Sequence, residues 1–182
     1  MKGNARPSFF DPTAAFDDPL EMLLLCHRRI EKQLATLERL RVHVKSHGVD
    51  ADASLAAQNV LRYFTGAAVN HHEDEENDLF PLLERRISEP EAAGRFRALR
   101  EMLESEHRLV ESYWARLKRP LEGIADGFTR ALPENEVRAF TEAYESHIRV
   151  EEEALQEFFG RWIDADDRAA LGKSMSARRR AA

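Results

Sequence analysis

Residues 70–83 read NHHEDEENDLFPLL, and residues 145–159 read ESHIRVEEEALQEFF. Each stretch holds a histidine followed four positions later by a glutamate: His71 with Glu75, and His147 with Glu151. On an α-helix, positions i and i+4 lie on one face, one turn apart. An imidazole and a carboxylate stacked in that way can grip one metal ion or help to bridge two. Solvated surface pairs of this kind are common, so the orientation of both copies decides their meaning.

Working outward, proline, glycine and aspartate divide the chain into four long segments. The first helix is expected to start after Asp18-Pro19 and to end near Gly48. The second runs from about Ala53 to Arg86 with a bend at Pro81. The third starts near Glu89-Pro90 and reaches Gly123 or Asp126 despite Pro120. The fourth starts at Pro133 and ends near Gly160, and a short fifth helix follows Asp164. No segment alternates as a strand would. Each long segment carries an apolar stripe at three-to-four-residue spacing. The stripes run through Leu23, Ile30 and Leu34; Phe64, Ala68 and Leu79; Leu103, Val110 and Leu117; and Phe140, Tyr144 and Leu155. Short connections between such stripes predict an all-α, antiparallel up-down-up-down four-helix bundle over residues 18–162. An N-terminal arm (1–17) precedes it, and a short helix with a basic tail (163–182) follows.

Polar residues interrupt every stripe at one level: His27, His71 with Glu75, His107, and His147 with Glu151. Burying such groups without partners costs several kcal/mol each. Measured from turns near residues 50, 89 and 129, the six lie 14 to 25 residues away. At about 1.5 Å per residue, matching offsets place them within one or two turns of a common level. Each half of the chain supplies one histidine from its first helix and one His-x-x-x-Glu pair from its second. The expected site is therefore pseudo-twofold symmetric and suits two metal ions.

Composition agrees with this picture. Of 182 residues, 33% are charged and 43% hydrophobic, with a net charge of −6. That is one soluble domain by length, with no extended basic face for nucleic acid. No apolar run approaches about 18 residues, which argues against a membrane span. A single cysteine, Cys26, excludes an internal disulfide and fits a reducing, cytoplasmic compartment.

Imidazole and carboxylate without thiolate suit Fe, Mn or Zn. A structural zinc usually takes four ligands, often cysteines, and six ligands in two equivalent sets exceed that need. A dinuclear iron site open to a small oxidant matches better. Phe64, Leu103, Val110, Phe140 and Leu155 would line it and admit O₂ or peroxide while excluding larger substrates.

On the residues around His27 (LLLCHRRIEKQL), His71 (HHEDEENDLFPLL), His107 (ESEHRLV) and His147 (SHIRVEEEALQEFF), the chain resembles the hemerythrin-like, or HHE cation-binding, family. The resemblance covers roughly residues 18–160. It implies a four-helix bundle with an oxo- or hydroxo-bridged pair of non-haem iron ions, serving O₂ binding, iron handling or responses to peroxide or nitric oxide. Oxygen-carrying members place a second histidine four residues after the one on the third helix, where this chain has Glu111. They also use an aspartate late in the fourth helix, where it has Glu151. The order His…His-x-x-x-Glu…His…His-x-x-x-Glu is similar to the bacterial branch, whose theme is oxidative-stress chemistry or sensing. A catalase-like peroxide-decomposing enzyme and an iron storage or buffering protein are the rival readings. No signalling motif is present, so sensing would need a protein partner, and homo-oligomers are compatible with the sequence.

Three neighbours of the six are weighed as additional participants. His72 is expected to flank the site, because its repeat counterpart is Ile148. Glu111, one turn after His107, is a candidate seventh ligand. Tyr144, one turn before His147, is a core aromatic whose hydroxyl could reach the site. Cys26 reads as small core filler, and His43 with His47 as favourable charge at a helix C-terminus. The acidic run Glu73, Asp74, Glu76 and Asp78 reads as a solvated face, and the arginines of the terminal SARRR as a solvated tail.

Overall fold

A computed structural model describes residues 18–128 and 131–181. Helix α1 (Pro19–His47) begins at Asp18, whose carboxylate accepts from the Leu20 and Glu21 amides at 3.0 and 3.3 Å. It ends at Gly48, where a φ of 82° requires a residue without a Cβ. Helix α2 runs unbroken over residues 51–86, capped by Asp50, which accepts from the Ala53 amide at 2.8 Å. Helices α3 (Pro90–Ala125), α4 (Glu134–Trp162) and α5 (Ala165–Ala181) follow. There is no strand among the described residues. No helix among them is long and apolar enough to cross a membrane.

α1 to α4 form a ring in which each packs on the next and α4 returns to α1. The expected all-α four-helix bundle is present, and Pro120 lies inside α3 as anticipated. Two details differ. α4 continues to Trp162, past Gly160, because Phe158 and Phe159 are buried and tertiary packing outweighs the glycine. α2 contains two widened π-turns, Tyr63–Ala67 and Glu75–Leu79. The second lies just before Pro81, whose ring would otherwise meet the carbonyl one turn back. The wide turn is thus what relieves Pro81. Each such turn also holds one residue more than an α-turn, which shifts the inward face of the helix.

The apolar core is split in two. One cluster, toward the α1–α2 turn, holds Leu37, Val60, Phe64, Leu117 and Phe140. The other, at the opposite end, holds Leu23, Phe80, Phe96, Leu103 and Phe158. Between them lies a buried polar layer: His27, His71, His72, Glu75, His107, His147 and Glu151.

The reading of the C-terminus as a solvated tail is corrected. α5 packs on α1 and α2 and inserts Leu171 and Met175 into the second cluster. Its helix carries Arg178 and Arg179 back onto α2. Arg178 contacts Asp74, reaches Asp78 at 2.8 Å and Glu73 at 3.2 Å, and Arg179 meets Asp74 at 2.6 Å. Asp74 is fully buried, so the acidic run is not wholly a solvated face either. An uncompensated carboxylate would be expensive there. Charge spacing along one chain could not reveal this, because the partners are 104 residues apart.

Candidate metal centre

Each wall of the bundle contributes to the polar layer: α1 gives His27, α2 gives His71, His72 and Glu75, α3 gives His107, and α4 gives His147 and Glu151. The six residues expected to converge do converge. Glu151 Oε2 lies 3.2 Å from His147 Nε2 on its own helix and 3.2 Å from His27 Nε2 across the bundle. Glu75 mirrors this. Its Oε1 is 2.9 Å from His71 Nδ1 on α2, and its Oε2 is 3.4 Å from His107 Nε2 on α3. The Nε2 atoms of His107 and His147 face each other at 3.2 Å.

Two compact ligand sets result. His27, His71, Glu75 and Glu151 form one, and Glu75, His107, His147 and Glu151 the other, with one ligand atom from each residue within 4.8 Å of the rest. Both carboxylates belong to both sets. A shared carboxylate between two histidine pairs is the pattern by which protein ligands hold two cations side by side.

Carboxylates at the rim orient the imidazoles. Glu152 of α4 meets His27 Nδ1 at 3.2 Å, Glu76 of α2 meets His107 Nδ1 at 2.6 Å, and Glu106 of α3 meets His147 Nδ1 at 3.1 Å. An Nδ1–H donating outward leaves Nε2 facing inward as a lone-pair donor, which fixes ring orientation and raises ligand basicity. His71 differs, since its Nδ1 turns inward to Glu75. These three glutamates were not singled out in the sequence as supports. Their signal was adjacency: Glu76 follows Glu75, Glu106 precedes His107, and Glu152 follows Glu151. A carboxylate at the edge of an inward stripe faces the neighbouring helix rather than open solvent.

The electrostatics show what the layer lacks. Burial and the charge of Glu151 push the Glu75 carboxyl well above its usual range. Burial opposes ionisation of Glu151 as well, but the imidazoles of His147 and His27, each 3.2 Å away, overcome it and hold that carboxyl well below its usual range. Desolvation at His27 and His147 is overcome by the neighbouring carboxylates, Glu151 with Glu152 and Glu151 with Glu106, and both imidazoles are raised. Desolvation, reinforced by neighbouring imidazoles, lowers His71, His72 and His107. Yet His27 Nε2, His71 Nε2, His72 Nε2 and both oxygens of Glu75 and Glu151 have no properly formed hydrogen bond. Several orphaned donors and acceptors in one buried spot would be costly. Cations would satisfy the orphaned atoms of the two ligand sets, so the residues fit a metal.

A family model for the hemerythrin HHE cation binding domain matches residues 18–159. The chain belongs to this family. An uncharacterized protein of Haemophilus influenzae is similar to it, 30% identical over 166 residues that cover 91% of this chain and 92% of the relative.

Set against the hemerythrin pattern, the weighed neighbours separate. Glu111 is exposed and belongs to neither ligand set. Tyr144 is buried with Phe64 and Phe140 at ring distances of 5.6 and 5.1 Å, and its ring lies 6.5 Å from that of His147. That is the core-aromatic role. His43 bonds Asp50 at 2.9 Å and stacks on His47 at the α1–α2 turn, away from the centre. Cys26 is buried, and desolvation pushes its thiol up, as for core filler. His72, expected to flank, is 6% exposed and turned inward.

Cation uptake requires neutral imidazoles and ionised carboxylates. His27, His147 and Glu75 all hold protons above their ordinary ranges in the metal-free protein. A bound cation must displace those protons. Affinity is therefore expected to fall at least tenfold between about pH 8 and about pH 6, with proton release on binding. Chelator competition at both pH values, with calorimetry in two buffers, measures this. Equal affinity at the two would contradict it.

Proposed function

We propose that the protein is a non-haem di-iron protein that binds or reacts with O₂, peroxide or NO in an oxidative-stress response or in sensing. The observation that carries this reading is the pair of two-histidine sets sharing Glu75 and Glu151. A single structural cation would need neither the duplication nor two shared carboxylates. When bound, two irons would supply electrons to, or take them from, a small ligand at positions the protein leaves open.

The chain's own residues do the rest. Glu76, Glu106 and Glu152 keep three imidazoles aimed inward. Phe64, Val110 and Phe140 close one side of the polar layer, and Leu103 and Leu155 the other. This apolar enclosure excludes charged and bulky substrates and suits a small neutral ligand. The reading places the protein in the cytoplasm, with no nucleic-acid or membrane partner, and leaves room for a protein partner or a second copy.

The test is metal content per chain together with optical spectra of the reduced, aerated and peroxide-treated protein. Two irons per chain and a visible-band change on aeration or peroxide are expected. Steady O₂ evolution from peroxide would identify the catalase-like enzyme instead. Iron lost readily to chelators without a spectral response would identify a buffer. One tightly bound zinc and no iron would overturn the di-iron reading.

A further inference from the structure

We infer that Arg178 and Ser174 of α5 are positioning residues for the centre: they span the widened turn that carries Glu75, and they couple the docking of α5 to occupancy of the site. The inference rests on the reading of the site as a metal centre.

The turn Glu75–Leu79 closes with the Phe80 amide donating to the Glu75 carbonyl, five residues back. Such turns are rare and are frequent at functional sites. Pro81 follows at once and has no N–H to donate, so the backbone ladder is thin here. Side chains of α5, which packs against Ala68–Leu79, brace it instead. Arg178 contacts Asp74 at one end of the turn and reaches Asp78, near the other end, at 2.8 Å. Ser174, one turn earlier on α5, donates to Asp78 at 3.0 Å. Arg179 adds a second hold on Asp74 at 2.6 Å. A planar guanidinium presents its donors in a fixed fork, so one arginine can set the spacing of two carboxylates; a lysine ammonium is a point charge and cannot.

The same turn holds two groups that the centre uses. Glu75 belongs to both ligand sets, and Glu76 meets His107 Nδ1 at 2.6 Å. Their backbone lies between the two clamped aspartates, so a change in the spacing of Asp74 and Asp78 turns both side chains relative to α3 and α4. Supporting partners of metal ligands cost about 10–100-fold in affinity when removed. Coupling of this kind is reciprocal: if docked α5 strengthens cation binding, a bound cation strengthens the docking of α5 by the same factor. α5 also has anchors elsewhere. Arg86 of α2 holds Asp167 at 2.7 Å, and Leu171 and Met175 enter the second core cluster. The Arg178 end can therefore open without unfolding of the bundle, and α5, outside the ring of four helices, reports the occupancy of the interior.

The experiment compares hydrogen exchange in the full chain, metal-free and loaded anaerobically with Fe²⁺. Amides of residues 170–181 that open by local undocking of α5 are expected to exchange about tenfold more slowly with Fe²⁺ bound. If undocking left the site unchanged, Fe²⁺ could not alter that opening, however tightly it bound. Unchanged exchange over 170–181 in a chain that holds Fe²⁺ would therefore overturn the inference. Chelator competition supplies the converse measurement. Arg178→Lys keeps the charge beside Asp74 and loses the span, and Asp78→Ala with Ser174→Ala removes its far end. Each is expected to weaken Fe²⁺ binding about tenfold. Arg86→Gln, which frees the opposite end of α5, is expected to destabilise the protein yet leave Fe²⁺ affinity within about twofold. The same loss of affinity in Arg86→Gln as in Arg178→Lys would make the brace a matter of general stability and overturn the positioning role. A wild type that takes up no Fe²⁺ would instead refute the metal reading on which the inference rests.

Discussion

Glu75→Gln is expected to empty both halves of the centre and, at the same time, to stabilise the metal-free protein. The loss follows from sharing: Glu75 belongs to both ligand sets, and an amide is a poor ligand where a carboxylate is needed. Metal content should drop from two ions per chain to fewer than one. The gain follows from burial. Glu75 is fully buried beside Glu151, and both effects push its carboxyl upward. A carboxyl raised in this way favours the folded state fully only below its unfolded value, about 4.3. That contribution is lost as pH rises through the folded value, and at neutral pH folding must either take up a proton or bury a charge. Glutamine needs neither, and its amide can still donate to Glu151. A gain of about 1–3 kcal/mol near pH 7 is expected, or roughly 2–12 °C in Tm for a chain of this size. The gain should shrink as pH approaches about 4.5. Elemental analysis measures the first effect and calorimetry in the presence of chelator the second. A less stable metal-free variant, or one retaining two ions, would contradict the picture of a layer held in tension for its cation.

Arg178→Ala with Arg179→Ala is expected to cost about 3 kcal/mol, lowering Tm by roughly 6–12 °C. The two guanidiniums meet the fully buried Asp74, and their removal leaves that carboxylate without its charge partners. Burial already pushes Asp74 above its usual range, and the arginines oppose that shift. Adding Asp74→Asn to the double variant should recover about half of the loss, because the neutral amide no longer needs them. Denaturant unfolding of the wild type, the arginine double variant, Asp74→Asn alone and the combined variant reads the cycle. A loss under about 0.5 kcal/mol would mean that the tail is solvated after all. Asp74 immediately precedes Glu75, so α5 also buttresses the turn that carries a shared carboxylate.

These two cases mark where a linear reading reaches and where it stops. The four stripes, the start of α1 after Asp18, the tolerated Pro120 and the six inward polar residues follow from local rules. Helical period, proline and glycine chemistry and the cost of burying polar groups all act within one segment. The rim carboxylates Glu76, Glu106 and Glu152 escaped notice because each serves a histidine on a different helix. The inward turn of His72 escaped for a related reason. A uniform i, i+4 phase assigns one of two adjacent histidines to the core, whereas α2 carries widened turns on both sides of Ala68–Asp74.

The inward convergence of the six residues and the bundle that holds them were therefore legible along the chain, by periodicity and composition. The division of labour among them was settled across it. Which imidazole faces which carboxylate, which glutamates support from the rim, and why a basic C-terminus is tied to a buried aspartate depend on packing between elements far apart in sequence. Desolvation is what gives those contacts their energy. It exists only once the helices have closed around the polar layer, and no single segment carries it alone.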